Sequence, residues 1–216
     1  MKISGLVLIL AFLSLGGCSS LIFPSSSPPV YYQLNAGPST VHCPNAFHKS
    51  IRLWKFGAAS PYDRREMIVV QDGREVSISS AFQWVAPPAA MLGDMLYRDL
   101  SMGGIFPQVV TANDPVDVPL DMTGRILVFA WEREGETSRA VLEFEVSVTG
   151  MDGGSGALFH KSYSLKSEPV KGEGSSEEFA QAMSRLAEEG SERLRRDLCQ
   201  FVGKQRSAEA SGGKGR

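Results

Sequence analysis

Ser138-Arg139-Ala140-Val141-Leu142-Glu143-Phe144-Glu145-Val146-Ser147-Val148-Thr149 alternates with a period of two: Leu142, Phe144, Val146 and Val148 fall on one side, Glu143, Glu145 and Ser147 on the other. Successive side chains of a strand point to opposite faces, so the run predicts a β-strand with one buried and one wetted face. Residues 125–133 and 157–165 read as strands on either side of it. The turn-rich Glu134-Gly135-Glu136 and Met151-Asp152-Gly153-Gly154 separate the three, which is the pattern of an antiparallel meander. Upstream, Met67-Ile68-Val69-Val70 and Glu75-Val76-Ser77-Ile78 flank Gln71-Asp72-Gly73-Arg74, and the Asp-Gly pair predicts a hairpin with a type I′ turn.

Two helices complete the pattern. Pro87-Pro88 opens a segment with Leu92, Met95, Leu96 and Leu100 at helical spacing, Asp94, Arg98 and Asp99 placed for water, and Gly103-Gly104 as its stop. A strand is expected over 105–110. Near the C-terminus, Ser175-Ser176-Glu177-Glu178 is a capping box, followed by the apolar stripe Phe179, Met183, Leu186, Leu194, Leu198 and Phe201 through Val202. Gly190 on that stripe permits close approach to the sheet, and Arg193, Arg195, Arg196 and Lys204 read as a solvated face favourable to the C-terminal dipole. The expected fold class is α/β in the α+β sense: a mainly antiparallel sheet with two main helices packed on one face, in a single domain.

The chain has 216 residues, 43% hydrophobic and 21% charged, with a formal net charge of -2. That composition excludes a disordered, collagenous or polytopic membrane protein. The near-neutral balance also lacks the basic footprint of nucleic-acid binding, so no nucleic-acid partner is expected.

Residues 1–17 read as a signal peptide. Lys2 supplies a positive start, and residues 3–15 form a mostly apolar stretch too short to cross the ~30 Å hydrocarbon core as a helix. Leu15-Gly16-Gly17-Cys18 resembles the bacterial lipobox, which implies cleavage before Cys18 and lipid attachment to its thiol. Ser19, in the place where an Asp signals inner-membrane retention, favours the outer membrane, with the body in the periplasm. Residues 18–30 are expected as a lipidated linker, since 19–30 hold five Ser and three Pro. At about 3.1 Å per residue such a linker spans up to ~37 Å. The folded domain is expected over 31–202, and 203–216 as a disordered tail.

With Cys18 acylated, Cys43 and Cys199 remain as an even pair in an oxidising compartment, which favours a disulfide over two buried thiols. No nucleophile elbow, zinc helix, C-x-x-C pair or phosphate loop occurs, and His42, His48 and His160 lack ligand-like spacing. Glu143 and Glu145 read as a solvated sheet face. No enzyme, metal site or cofactor is expected, apart from the covalent acyl lipid.

Tyr31-Tyr32-Gln33-Leu34, a first strand over 51–56, Pro61-Tyr62-Asp63-Arg64-Arg65-Glu66-Met67-Ile68-Val69 and Gln83-Trp84-Val85-Ala86-Pro87 come in an order that resembles the ABC-type transport auxiliary lipoprotein family. The sequence departs from the family pattern at Tyr62, where leucine is frequent, around Arg64-Arg65, and at Gln83, where a basic residue is common. The resemblance implies an accessory lipoprotein of a lipid transport system. Its partners would be an MCE-domain (mammalian-cell-entry) protein with an ABC permease and ATPase, the membrane through the lipid anchor, and a further copy of the chain if it forms a homo-oligomer. An outer-membrane activator of a peptidoglycan synthase is the alternative. Trp84 and Tyr62 allow two readings, packing or partner contact. Arg64 and Arg65 read as solvated loop charges, with a partner surface as the secondary role.

Overall fold

The computed structural model describes residues 28–39, 43, 46–150 and 157–212. The signal peptide, Cys18, most of the linker, His42, the turn from Met151 to Gly154 and the last four residues lie outside this set.

The structure is built around one long hairpin, β7 (Leu120–Glu134) and β8 (Thr137–Gly150). β8 carries β9 (Ala157–Lys166) and β10 (Val170–Lys171) antiparallel on its other edge. Along the free edge of β7 three short strands line up end to end, all parallel to it: β2 (Ile51–Leu53), β3 (Gly57–Ala58) and β4 (Glu66–Gln71). β2 also pairs in parallel with β6 (Val109–Thr111). β4 forms the expected hairpin with β5 (Glu75–Trp84), and β1 (Val30–Tyr32) closes the far end of β5 in parallel. The result is one ten-stranded mixed sheet, α+β with two helices and a single domain. Its longest ladders are antiparallel, as expected, but the pairing along β7 is parallel. No turn signal announces those pairs, because loops and a helix make the connections.

Leu142, Phe144, Val146 and Val148 are fully buried, and Glu143, Glu145 and Ser147 lie on the opposite face, so the register of β8 is the expected one. In β7 the core-facing residues Ile126 and Phe129 are three apart, which a strict period of two forbids. A β-bulge between Ile126 and Val128 adds the residue that returns Phe129 and Trp131 to the core face. The hairpin turn places Asp72 at φ 48° and Gly73 at φ 67°, the left-handed pair that a type I′ turn requires.

Helix α1 (Pro88–Met102) starts with proline at its first position, and α2 (Ser176–Gly212) starts at the capping box. Ser175 N–H donates to Glu178 Oε2 at 2.7 Å and Glu178 N–H to Ser175 Oγ at 3.1 Å. Ser175 Oγ also donates to Glu178 Oε2 at 2.9 Å, and the two bonds that this carboxyl accepts hold it below its usual range. Both helices share one apolar core with the sheet. At Gly190 a Cβ would stand 2.9 Å from Phe144 Cε1, so glycine sets how closely α2 approaches β8. α2 runs on to Gly212, into the stretch expected as tail. Gly203 alone costs about 1 kcal/mol in the helix, and the strong formers Lys204, Gln205, Arg206 and Ala208 that follow it carry the helix on.

Three expectations change. The strand expected at 105–110 forms only at Val109–Thr111: Gly104 turns at φ 65°, and the Ile105 carbonyl accepts the Phe47 N–H at 2.7 Å. Asp99 and Arg195, expected in water, are each 1% exposed. They meet where α1, α2 and the loop 36–39 converge: Ser191 Oγ donates to Asp99 Oδ2 at 2.6 Å, and Arg195 Nη1 to the Ser39 carbonyl at 2.9 Å. Burial lowers the Arg195 pKa, and the charges of Asp99 and Glu192 oppose that shift.

Cys43 and Cys199 are joined as a disulfide, with Cα atoms 5.6 Å apart and 156 residues between them in sequence. That Cα separation lies in the range a bridge needs. Protein exported to the periplasm is expected to show a Cys43–Cys199 linked peptide in non-reducing mass spectrometry. Complete alkylation of both thiols without reduction would contradict the pairing.

Candidate docking groove

The residues singled out in the sequence do not form one site. Trp84 is 1% exposed and stands edge-on to Phe129 and Phe179, with ring centroids 5.2 and 5.4 Å away. Partner contact by Trp84 is therefore corrected: its indole fills the core where β5 ends, because the β1 pairing and the Arg65 carbonyl fix its backbone there. Arg64 is half-buried and turns back on its own loop, Nε donating to the Pro61 carbonyl at 2.9 Å. Tyr62 is half-buried as well. Burial first, then the carboxylates of Glu132 and Glu143, raise its phenol pKa, so it stays neutral at pH 7. Arg65 is exposed.

A groove of about 590 Å³ opens beside that loop, and nothing in the sequence reading pointed to it. Its origin is a mismatch along β7. From Leu53 to Gly57 the chain advances four residues while its β7 partners advance three, Met122 to Arg125. The extra residue breaks the ladder between β2 and β3 and throws Trp54 outward, 41% exposed, while Phe56 stays buried. The opposite wall is the first half of α1. There Ala89, Ala90 and Gly93 leave a shallow trough, and Tyr97 lines the wall one turn further on.

The rim is held in place. Arg52 stands 5.7 Å from the centre of the Trp54 ring, a cation–π contact, and donates to the Val116 carbonyl. Thr111 N–H and Oγ donate to Asp114 Oδ2 at 2.6 and 2.9 Å, which lowers the Asp114 pKa and stiffens the loop that carries Ala112 and Asn113. Lys55, Asp63 and Asp94 give the mouth charges of both signs. An apolar trough with a fixed aromatic at its edge and polar groups around it is suited to gripping an apolar side chain or segment. Among the described residues no group of three or more His, Cys, Asp or Glu side chains converges, and no helix is long and apolar enough to cross a membrane. An exposed Trp54 between inward Leu53 and Phe56, followed by the small residues of α1, was the available signal.

A family model for the ABC-type transport auxiliary lipoprotein component matches residues 32–194. No curated protein matches the sequence. Among solved structures, protein XCC0632 from Xanthomonas campestris, of the DUF330 family, is 15% identical with a TM-score of 0.70, the match covering 83% of this chain and 99% of that one. The hypothetical protein CT253 from Chlamydia trachomatis is 6% identical with a TM-score of 0.50, over 72% and 98% of the two chains. At these identities the likeness is one of fold.

Proposed function

The chain belongs to the ABC-type transport auxiliary lipoprotein family, and from that premise we propose that it is the docking subunit of an envelope lipid-transport machine. Membership makes it an accessory component of an ABC transport system of the cell envelope. The finer reading is that lipid on Cys18 anchors it in the inner leaflet of the outer membrane. Its body grips an MCE-domain protein, which works with an ABC permease and ATPase, and it acts by binding, without turnover. The groove beneath Trp54 is the observation that carries this reading: a large aromatic held rigid at 41% exposure over an apolar trough is what an interface anchor requires.

Native pull-down of the full-length lipidated protein from its own envelope is expected to recover the MCE-domain protein together with the permease. Recovery of a peptidoglycan synthase in place of any transporter component would overturn the reading in favour of the alternative.

A further inference from the structure

We propose that the sheet margin made by β1 and β5 lies on the bilayer that holds the acyl anchor, at the depth of the lipid headgroups. The inference rests on the Cys18 anchor of the proposed function and adds which surface of the body faces the membrane. Five of the ten exposed large apolar residues in the described set line this margin: Val30, Tyr31, Val76, Ile78 and Phe82, from 38% to 53% exposed. Register puts three of them on one face. Tyr31 pairs with Gln83 and Gln83 with Glu66; further along β4, Ile68 pairs with Ile78 and Val70 with Val76. Partners across a ladder share a face, as do residues two apart, so Tyr31, Ile78 and Val76 point away from the helices, opposite to the buried Met67 and Trp84. Phe82 and Val30, themselves a cross-strand pair, flank them at the edge. Between Ile78 and Gln83 the strand bulges, and there Ser79 Oγ accepts the Phe82 N–H at 3.0 Å. No charged residue occurs from Val76 to Phe82.

The entry of the chain points to the occupant. The described residues begin at Pro28 and run into β1 at Val30, so the linker joins the body on the patch itself. No more than ~37 Å of linker separates Val30 from Cys18. A surface tethered that closely meets the bilayer as an intramolecular partner, at an effective concentration on the order of millimolar, so five side chains suffice without high affinity of their own. Tyrosine and aliphatic side chains are the ones that settle where headgroups meet acyl chains. Asp72, Arg74 and Glu75 at the hairpin tip and Arg65 with Glu66 at the other end give the border no excess of positive charge. The contact is therefore apolar and needs no anionic lipid. Its depth is limited by the strand edge. No described strand pairs with the outer edge of β5 from Glu75 to Ala81, and the main-chain groups there keep water, which the headgroup zone supplies and the hydrocarbon core does not. None of the five residues lines the groove, so membrane contact leaves the docking groove open.

The test is fluorescence quenching of the full-length lipidated protein in vesicles of phosphatidylcholine and phosphatidylethanolamine that carry a nitroxide either on the headgroup or deep in the acyl chain. A fluorescent amino acid replaces Tyr31 or, as the control, Leu158, which is 46% exposed on β9. The headgroup nitroxide is expected to remove most of the emission at Tyr31, in low and high salt alike, and little of that at Leu158. The deep nitroxide is expected to spare both. Val76→Glu with Ile78→Glu, at two exposed positions, is expected to bring the loss at Tyr31 down to that at Leu158 while the protein still floats with the vesicles. Floating protein whose Tyr31 label is quenched no more than the Leu158 label, is quenched by the deep nitroxide, or is released from quenching by salt would overturn the proposal and leave the anchor standing. Protein with no acyl mass on Cys18 would remove the anchor, and the proposal with it.

Discussion

Asp99→Ala is expected to lower the unfolding free energy by about 3–5 kcal/mol, among the largest losses for any single side chain of the body. Asp99 accepts from Ser191 at 2.6 Å and from Arg98 Nε at 2.9 Å. Arg98 in turn reaches the carbonyls of Ala36 and Gly37, and Arg195 reaches that of Ser39. One buried carboxylate therefore balances the guanidinium of Arg195 and, through Arg98, holds the loop 36–39 between the two helices. Alanine would remove the buried acceptor of Ser191 and Arg98 and one of the two carboxylate charges, with Glu192, that favour the buried Arg195 guanidinium, and the loss of that buried charge balance is the main cost. Urea unfolding checks it. Adding Arg195→Met to Asp99→Leu removes both charges together and is expected to recover much of the loss. A single variant within about 0.5 kcal/mol of the parent, the range of ordinary surface substitutions, would show the network to be dispensable.

Cys18→Ser is expected to abolish acylation and move the protein from the membrane to the soluble fraction, with the body still folded. Two or three acyl chains, each adding about 0.8 kcal/mol per buried methylene, hold a protein far more firmly than a single marginal chain. Among the described residues no helix is long and apolar enough to cross a membrane, and the proposed attachment is through that thiol. Metabolic labelling with a palmitate analogue reads the change directly, and an undiminished label on the variant would remove the anchor from the proposed function.

Local signals were legible and cross-chain ones were not. Period two in β8, the Asp72-Gly73 turn and the capping box at Ser175 each depend on neighbours in sequence, and each is present. Gly190 was legible from its place on the helix stripe, although the ring it admits, Phe144, belongs to another element. Asp99 looked polar and outward because helical spacing describes one helix at a time. Its partner Ser191 is 92 residues away, on a different helix. The outward reading of Arg195 failed for the same reason. The docking groove needs Trp54, Ala90 and Asn113 from three segments, and a one-residue mismatch against β7 that only the register reveals. Trp84 was open to both packing and contact because a large aromatic serves either. The ring contacts with Phe129 and Phe179 assign it to the core.

The central claim is that the groove docks the transport partner, and calorimetric titration tests it most directly. Full-length chain carrying Cys18→Ser would be titrated with the periplasmic part of an MCE-domain protein from the same bacterium, the proposed partner. Saturable binding is expected, and Trp54→Ala is expected to weaken it by about 2 kcal/mol, roughly thirtyfold, as for an interface anchor. The melting temperature is expected to fall by no more than a few degrees, because the Trp54 side chain is already 41% exposed. Binding of equal affinity by the parent and by Trp54→Ala, or no binding by the parent, would contradict the claim.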